Sequence, residues 1–150
     1  MTVRAAFFVG SGSLADALIR WRTNSEASHV ELFVGDNSYS SYPGVGVRTV
    51  PISSLPKGKW KIVNLPWVND KDVLDFFETT KGAKYDWLGV IVGQAISARI
   101  AKKGDFFCSE WCAQAIGMTQ TWRYSPGLLM DIVGFVDHIN KNYEECISNN

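Results

Sequence analysis

The chain has no excess of charge: 15 basic residues stand against 15 acidic ones across 150 positions, and the basic ones form no cluster. A nucleic-acid partner calls for such an electrostatic footprint, so none is expected. Long apolar runs are missing too. No uncharged run is longer than the one from Trp87 to Ala98, which contains Gln94 and falls well short of the roughly 20 residues that cross a bilayer. The apolar start, Met1 to Val9, is cut off by Gly10-Ser11-Gly12 and has neither a basic leader nor an extended apolar region, so it reads as a buried strand. Cysteine is scarce. Cys108, Cys112 and Cys146 are an odd number at spacings that suggest no disulfide framework, and a reducing, cytoplasmic setting is expected. Repeats, low-complexity tracts and long linkers are absent, so residues 1–150 read as a single domain, and 46% hydrophobic residues can fill one core.

What is present is an ordered alternation of patterns. After the first strand, Ser13 caps a helix expected to run to about Arg22, with Leu14, Ala17, Leu18 and Trp21 at helical spacing, followed by a polar loop from Thr23 to Ala27. Strands follow at Ser28 to Val34, Val45 to Ile52 and Trp60 to Leu65, divided by Gly35-Asp36-Asn37, Pro43-Gly44 and Lys57-Gly58; a short strand from Tyr39 to Tyr42 pairs with the first. This order predicts an antiparallel meander. From Asp70 the pattern turns helical: one helix to about Thr80, a second from Asp86 to about Ala101, a third starting at Cys108, and a last one opened by Ser125-Pro126. Strands in one block and helices in another make the fold class α+β.

Two residues carry the chemistry. Cys108 stands at the start of the segment Phe106 to Ile116, and a thiol on the first turn of a helix has its thiolate favoured by the dipole and the free N–H groups. Ser109 and Glu110 are polar enough to border a cleft, with Glu110 turned aside into a structural hydrogen bond, while Cys112 one turn on reads as a core thiol. His29 lies far upstream on a strand, the usual arrangement of a Cys/His pair that meets only in the fold. Alternation places His29, Glu31 and Phe33 on one strand face and Val30, Leu32 and Val34 on the other. His29 and Glu31 are then about 7 Å apart, where a carboxylate can hold one ring nitrogen and leave the other for a thiol. The plainer alternative makes His29 a hydrogen-bonded strand residue and Glu31 a solvated one. Cys108 and Cys112, at i and i+4, also raise a zinc site with His29 and His138, although the tight ligand pairs of structural zinc are missing.

Four segments together carry a family resemblance: Ser28-His29-Val30-Glu31-Leu32, Ser41-Tyr42-Pro43-Gly44-Val45-Gly46-Val47-Arg48, Gly82-Ala83-Lys84-Tyr85-Asp86-Trp87-Leu88-Gly89 and Phe107-Cys108-Ser109-Glu110. They resemble the circularly permuted NlpC-type papain-like proteins, bacterial and bacteriophage relatives of cell-wall-associated hydrolases, over about Phe7 to Leu129. In unpermuted relatives the cysteine precedes the histidine; here His29 comes first.

The resemblance implies an antiparallel sheet of about four to six strands packed on helices, with Cys108 as nucleophile, His29 as general base and Glu31 as its orienter. Relatives vary in the third residue, so Ser40, Ser41 and Tyr42 remain alternatives to Glu31. The lecithin:retinol acyltransferase branch has a second histidine there and this chain has none. The implied activity is that of a cysteine hydrolase, an amidase or peptidase acting on a peptide, a peptidoglycan fragment or another acyl substrate, without a cofactor. For a phage-encoded chain the setting becomes the host cytoplasm. Acyl transfer or ester hydrolysis on lipids and a non-catalytic binding module are the other readings. An oxyanion hole can draw on the Cys108 N–H and on Ser11 in the Gly10-Ser11-Gly12 loop, which equally reads as a plain turn. Ser11, Ser41, Tyr42 and Arg48 are the candidate substrate-binding residues. For Arg48 the options are a substrate carboxylate or an acid across the sheet. Asp86 reads as a helix cap and Trp87 as packing beneath it.

Overall fold

The computed structural model describes residues 1–10, 24–86 and 105–148 of the chain. The helix expected at 13–22, the one expected at 86–101 beyond its first residue Asp86, Ser11, Gly12 and Trp87 lie outside them. Five antiparallel strands form one sheet: β1 (Val3–Phe8), β2 (His29–Val34), β3 (Asn37–Tyr42), β4 (Gly46–Pro51) and β5 (Trp60–Leu65). Among the described residues the α-helices are α1 (Asp70–Thr80), α2 (Cys108–Ala115) and α3 (Pro126–Ser148). The class is α+β.

The meander expected through Trp60–Leu65 holds only for β2, β3 and β4. The strand order is β4-β3-β2-β1-β5, so β5 crosses to the far side of β1 and pairs with it from Val3↔Leu65 to Phe8↔Trp60. Two features account for the correction. Pro51 closes β4 and leads into a 3-10 turn at Ile52–Ser54, which takes the chain off that edge. Meanwhile β1 is apolar on both faces, with Val3, Ala5, Ala6 and Phe7 all buried, and such a strand is stable inside a sheet with a partner on each side.

The helices cover one face. Val3, Ala5 and Phe7 from β1, Val30, Leu32 and Val34 from β2, and Leu65 from β5 join Val73 and Phe77 of α1, Trp111 and Cys112 of α2, and Leu129 and Val133 of α3 in one core. At α1, Asn69 accepts the Lys71 N–H at 3.0 Å, and Asp70 and Asp72 sit in the first turn, where the helix dipole favours acids. For α3, the Ser125 hydroxyl accepts the Leu128 N–H at 3.2 Å and Pro126 takes the first helical position. Between them, α2 is buried on nearly every side and leaves only Gln114 exposed. It packs on β2, β3, α1 and α3, and the Trp111 indole N–H donates to the Thr80 hydroxyl at 2.9 Å. A helix without a polar face belongs inside a layer, and α2 therefore brings its N-terminus to the sheet.

Among the described residues, no helix is long and apolar enough to cross a membrane.

Candidate active site

The β2–β3 ladder is short. Pairing covers Leu32–Val34 against Asn37–Tyr39, and beyond those pairs the Ser40 and Tyr42 side chains link β3 to Val30 and His29. The Ser40 hydroxyl donates to the Val30 carbonyl at 2.7 Å, and the Cys112 thiol approaches the same oxygen at 3.6 Å. The Ser41 hydroxyl reaches out of the sheet to the Phe106 carbonyl at 2.6 Å, two residues before Cys108. Where the β2–β3 ladder stops, Val30 and Ser41 bond Cys112 and Phe106, which brings the first turn of α2 to a strand residue 79 positions earlier.

A second set of bonds fixes that turn from the other side. Val47 N–H donates to the Ala83 carbonyl at 2.8 Å, and Gly82 N–H returns to the Val47 carbonyl at 3.0 Å. From there, Phe106 N–H donates to the Lys84 carbonyl at 3.0 Å and Asp86 N–H to the Phe106 carbonyl at 3.1 Å, with Tyr85 and Phe106 in a parallel bridge. Asp86 is buried here. The glycine-rich segment before Arg48, the Gly82–Asp86 segment and the Cys108 helix are consecutive links of one backbone network.

Cys108 is the first residue of α2. Phe107 is the N-cap with extended backbone and makes no side-chain capping bond, so the first-turn N–H groups receive no acceptor from that position. Ser109 donates to the Tyr124 carbonyl at 2.6 Å, which pins the same turn. Contrary to the expectation of a polar cleft border, Ser109 and Glu110 are buried, and Cys108 itself is 2% exposed. They lie inward because α2 is packed on all sides.

His29 is 8% exposed and lies within hydrogen-bonding reach of the Cys108 thiol. Its Nε2 donates to Glu31 Oε1 at 2.9 Å, which leaves Nδ1 as the nitrogen for the thiol. Glu31 is fully buried and not solvated. It accepts from Arg48 Nη2 at 2.7 Å on Oε1, and on Oε2 from the Ser38 hydroxyl and, at 3.5 Å, from Arg48 Nη1. Arg48 therefore takes the cross-sheet acid, and its guanidinium is committed to Glu31 rather than to a substrate carboxylate. Tyr42 lies between the two cations: its ring meets the His29 ring edge-on at 5.3 Å and underlies the Arg48 guanidinium at 4.6 Å. Tyr42 is exposed, while Ser41 is fully buried and turned to Phe106, away from solvent.

Burial alone disfavours a charged imidazole and is the largest single influence on His29, but the Cys108 and Glu31 charges and hydrogen bonds outweigh it and raise the histidine pKa to about 10. Burial also works against the Glu31 carboxylate; the His29 bond and charge, with Arg48 and Ser38, prevail and hold it below the usual carboxylate range. Cys112 differs. Burial, reinforced by the Cys108 and Glu31 charges, pushes its thiol well above the ordinary range.

The zinc alternative is not assembled. His138 is exposed on α3, where it bonds Asn142, and no group of three His, Cys, Asp or Glu side chains among the described residues is arranged to hold a metal.

The sequence alone did not reveal Ser38, nor that the acid across the sheet from Arg48 is Glu31. The available signal was register: Ser38 faces Phe33, two residues along from Glu31 on the same strand face, and Arg48 pairs with Ser40. Compared with known families and curated proteins, the chain matches no family model and no curated protein.

Proposed function

We propose that the chain is a thiol hydrolase of the permuted papain-like type that cleaves an amide bond. One observation carries the reading: a cysteine at the first position of a buried helix meets a histidine whose other ring nitrogen is held by a buried carboxylate. His29 is raised to about 10, so the expected general base already holds a proton at neutral pH, and the form of the pair that reacts is a Cys108 thiolate facing that imidazolium. The Cys108 sulfur attacks the carbonyl carbon, and the electron pair of the C=O moves onto oxygen. The Cys108 N–H lies at the helix start, where such an oxyanion is favoured. As the tetrahedral intermediate collapses, the C–N bond breaks, His29 gives its proton to the leaving amine, and a thioester remains. Water then attacks, with the neutral His29 taking its proton, and the acid product leaves the thiolate restored.

The test uses acyl and peptide electrophile probes of stated chemistry, with adducts located by mass spectrometry. A single adduct on Cys108, lost in Cys108→Ser and His29→Ala but kept in His138→Ala, is the expected result. Peptide amides among the substrates tried are expected to turn over and Cys108→Ser to lose about 10³-fold or more of that rate. Labelling that favours Cys112, or full activity in Cys108→Ser, excludes thiol catalysis at this site. Retention of the acyl group on a second molecule's amine or hydroxyl, with no free acid, identifies acyl transfer in place of hydrolysis.

A further inference from the structure

Arg48 belongs to the charge balance of the site. Cys108, His29, Glu31 and Arg48 follow one another as links: the Cys108 charge and hydrogen bond act on the imidazole, the imidazole Nε2 meets Oε1 at 2.9 Å, and Oε1 meets the guanidinium at 2.7 Å. Both ends are held. Cys108 is fixed by α2, and the guanidinium lies on the Tyr42 ring with its side chain only 15% exposed.

Resting on the thiol-hydrolase reading of the site, we propose that Arg48 is a positioning residue that acts through Glu31 to keep the buried quartet electroneutral when the Cys108 thiolate forms, and that this neutrality favours the reactive form. With the thiolate formed, the signs alternate from link to link and cancel. Without Arg48, the same state leaves a net negative charge in a dry site. An uncompensated charge is costly there, so formation of the thiolate is opposed. A neutral hydrogen-bonding partner orients a histidine equally well; a buried carboxylate requires a second cation, and β4 supplies it. The other titratable groups packed close by, among the described residues, are Tyr42 on β3, Cys112 and Glu110 on α2, and Asp86 bonded to Phe106. The charges and hydrogen bonds of Cys108 and Glu31 act on His29, and those of His29, Arg48 and Ser38 act on Glu31.

The experiment follows the rate of Cys108 carboxymethylation by iodoacetamide against pH, site by site with mass spectrometry, in the parent and four variants. Arg48→Met is expected to move the rise in rate up by about one pH unit. Arg48→Lys, which keeps the charge without the fork, should stay within about half a unit of the parent. Glu31→Gln leaves a cation in excess and should move the rise down. Glu31→Gln combined with Arg48→Met restores neutrality and should return it toward the parent, although each single change shifts it. A merely structural Arg48 produces no such ordered pair of opposite shifts. If Arg48→Met does not fold, the double variant carries the test: a profile within about half a unit of the parent supports charge balance, and displacement upward by a full unit overturns it. An unshifted Arg48→Met in a protein with a selectively reactive Cys108 overturns this inference alone. A parent whose Cys108 reacts no faster than Cys112 overturns the reading of the site beneath it.

Discussion

Cys108 and Cys112 sit one turn apart on α2, both almost fully buried, so exposure does not separate them; what surrounds each thiol does. Cys108 meets a histidine, whereas Cys112 meets a carbonyl and a hydroxyl and is pushed toward its protonated form. In the native protein, iodoacetamide should modify Cys108 about tenfold or more faster than Cys112, and denaturant should abolish the difference. Equal native rates sink the assignment. The His29 ring offers a second measurement. Cys108 outranks Glu31 among the influences that raise its pKa to about 10, so in an NMR titration Cys108→Ser should lower that value more than Glu31→Gln does. The sign of the stability linkage follows. A histidine raised from 6.5 to about 10 contributes fully below 6.5 and loses that contribution as the pH climbs through 10. Glu31, lowered by folding, acts the other way: its contribution is present above the ordinary carboxylate range and is lost as the pH falls through the depressed value. The stability gap between the parent and His29→Gln in urea should therefore shrink between pH 6.5 and 10.

The site depends on how elements are joined, and Gly46 is the joint with least tolerance. Its φ of +89° is costly for any side chain, and a Cβ there would lie 2.1 Å from the Ala83 carbonyl oxygen, which is backbone and cannot turn aside. Gly46→Ala should cost about 2 kcal/mol or more in urea unfolding and, by displacing Gly82–Ala83 and so Phe106, slow Cys108 labelling. An alanine variant with parental stability and labelling would remove the Gly82–Phe106 network from the account of the site. Gly46 was visible in the sequence only as a turn residue, because its constraint comes from a segment 37 positions away. Local signals elsewhere were sufficient: Asn69 before Asp70, Ser125 before Pro126, and the apolar run after Phe107 mark helices whose starts are set by their own residues. Alternation along β2 likewise put His29 beside Glu31, since the strand period alone determines it. The point where the β2–β3 ladder stops was not legible, nor was the partner of Arg48. Both depend on register between strands, which no window of one strand contains.

At the scale of the molecule, the sheet order decides which parts hold the fold together. β1 is the strand with neighbours across its whole length on both sides, bonded to β2 through Arg4↔Phe33 to Phe8↔His29 and to β5 through Val3↔Leu65 to Phe8↔Trp60. Its placement inside the sheet was implicit in a run with apolar residues on both faces, but the composition of β5, exposed at Lys61, Ile62 and Asn64, gave no hint of which edge it would take. β4 pairs on one side only and loses burial after Val47. α3 behaves as two halves: Pro126 to Val133 delivers Leu129 and Val133 to the core, whereas residues 141–148 are exposed at every position. Native-state hydrogen exchange resolves these differences, because amides open locally at a cost that follows the buried contacts around them. The slowest amides should be those of Ala5, Ala6, Phe7 and Val30 to Leu32, opening only with global unfolding, with the β4 edge several-fold faster and residues 141–148 faster still. The His29 and Cys108 segments meet at the boundary between the slow core and that edge, and Arg48 ties them to β4. Arg48→Met should therefore accelerate exchange at Ser40, Val47 and Thr49 while leaving Ala5 and Phe7 close to the parent. Uniform acceleration across both groups would mean that β4 and β1 open as one unit, and the edge would then be no separate support for the site.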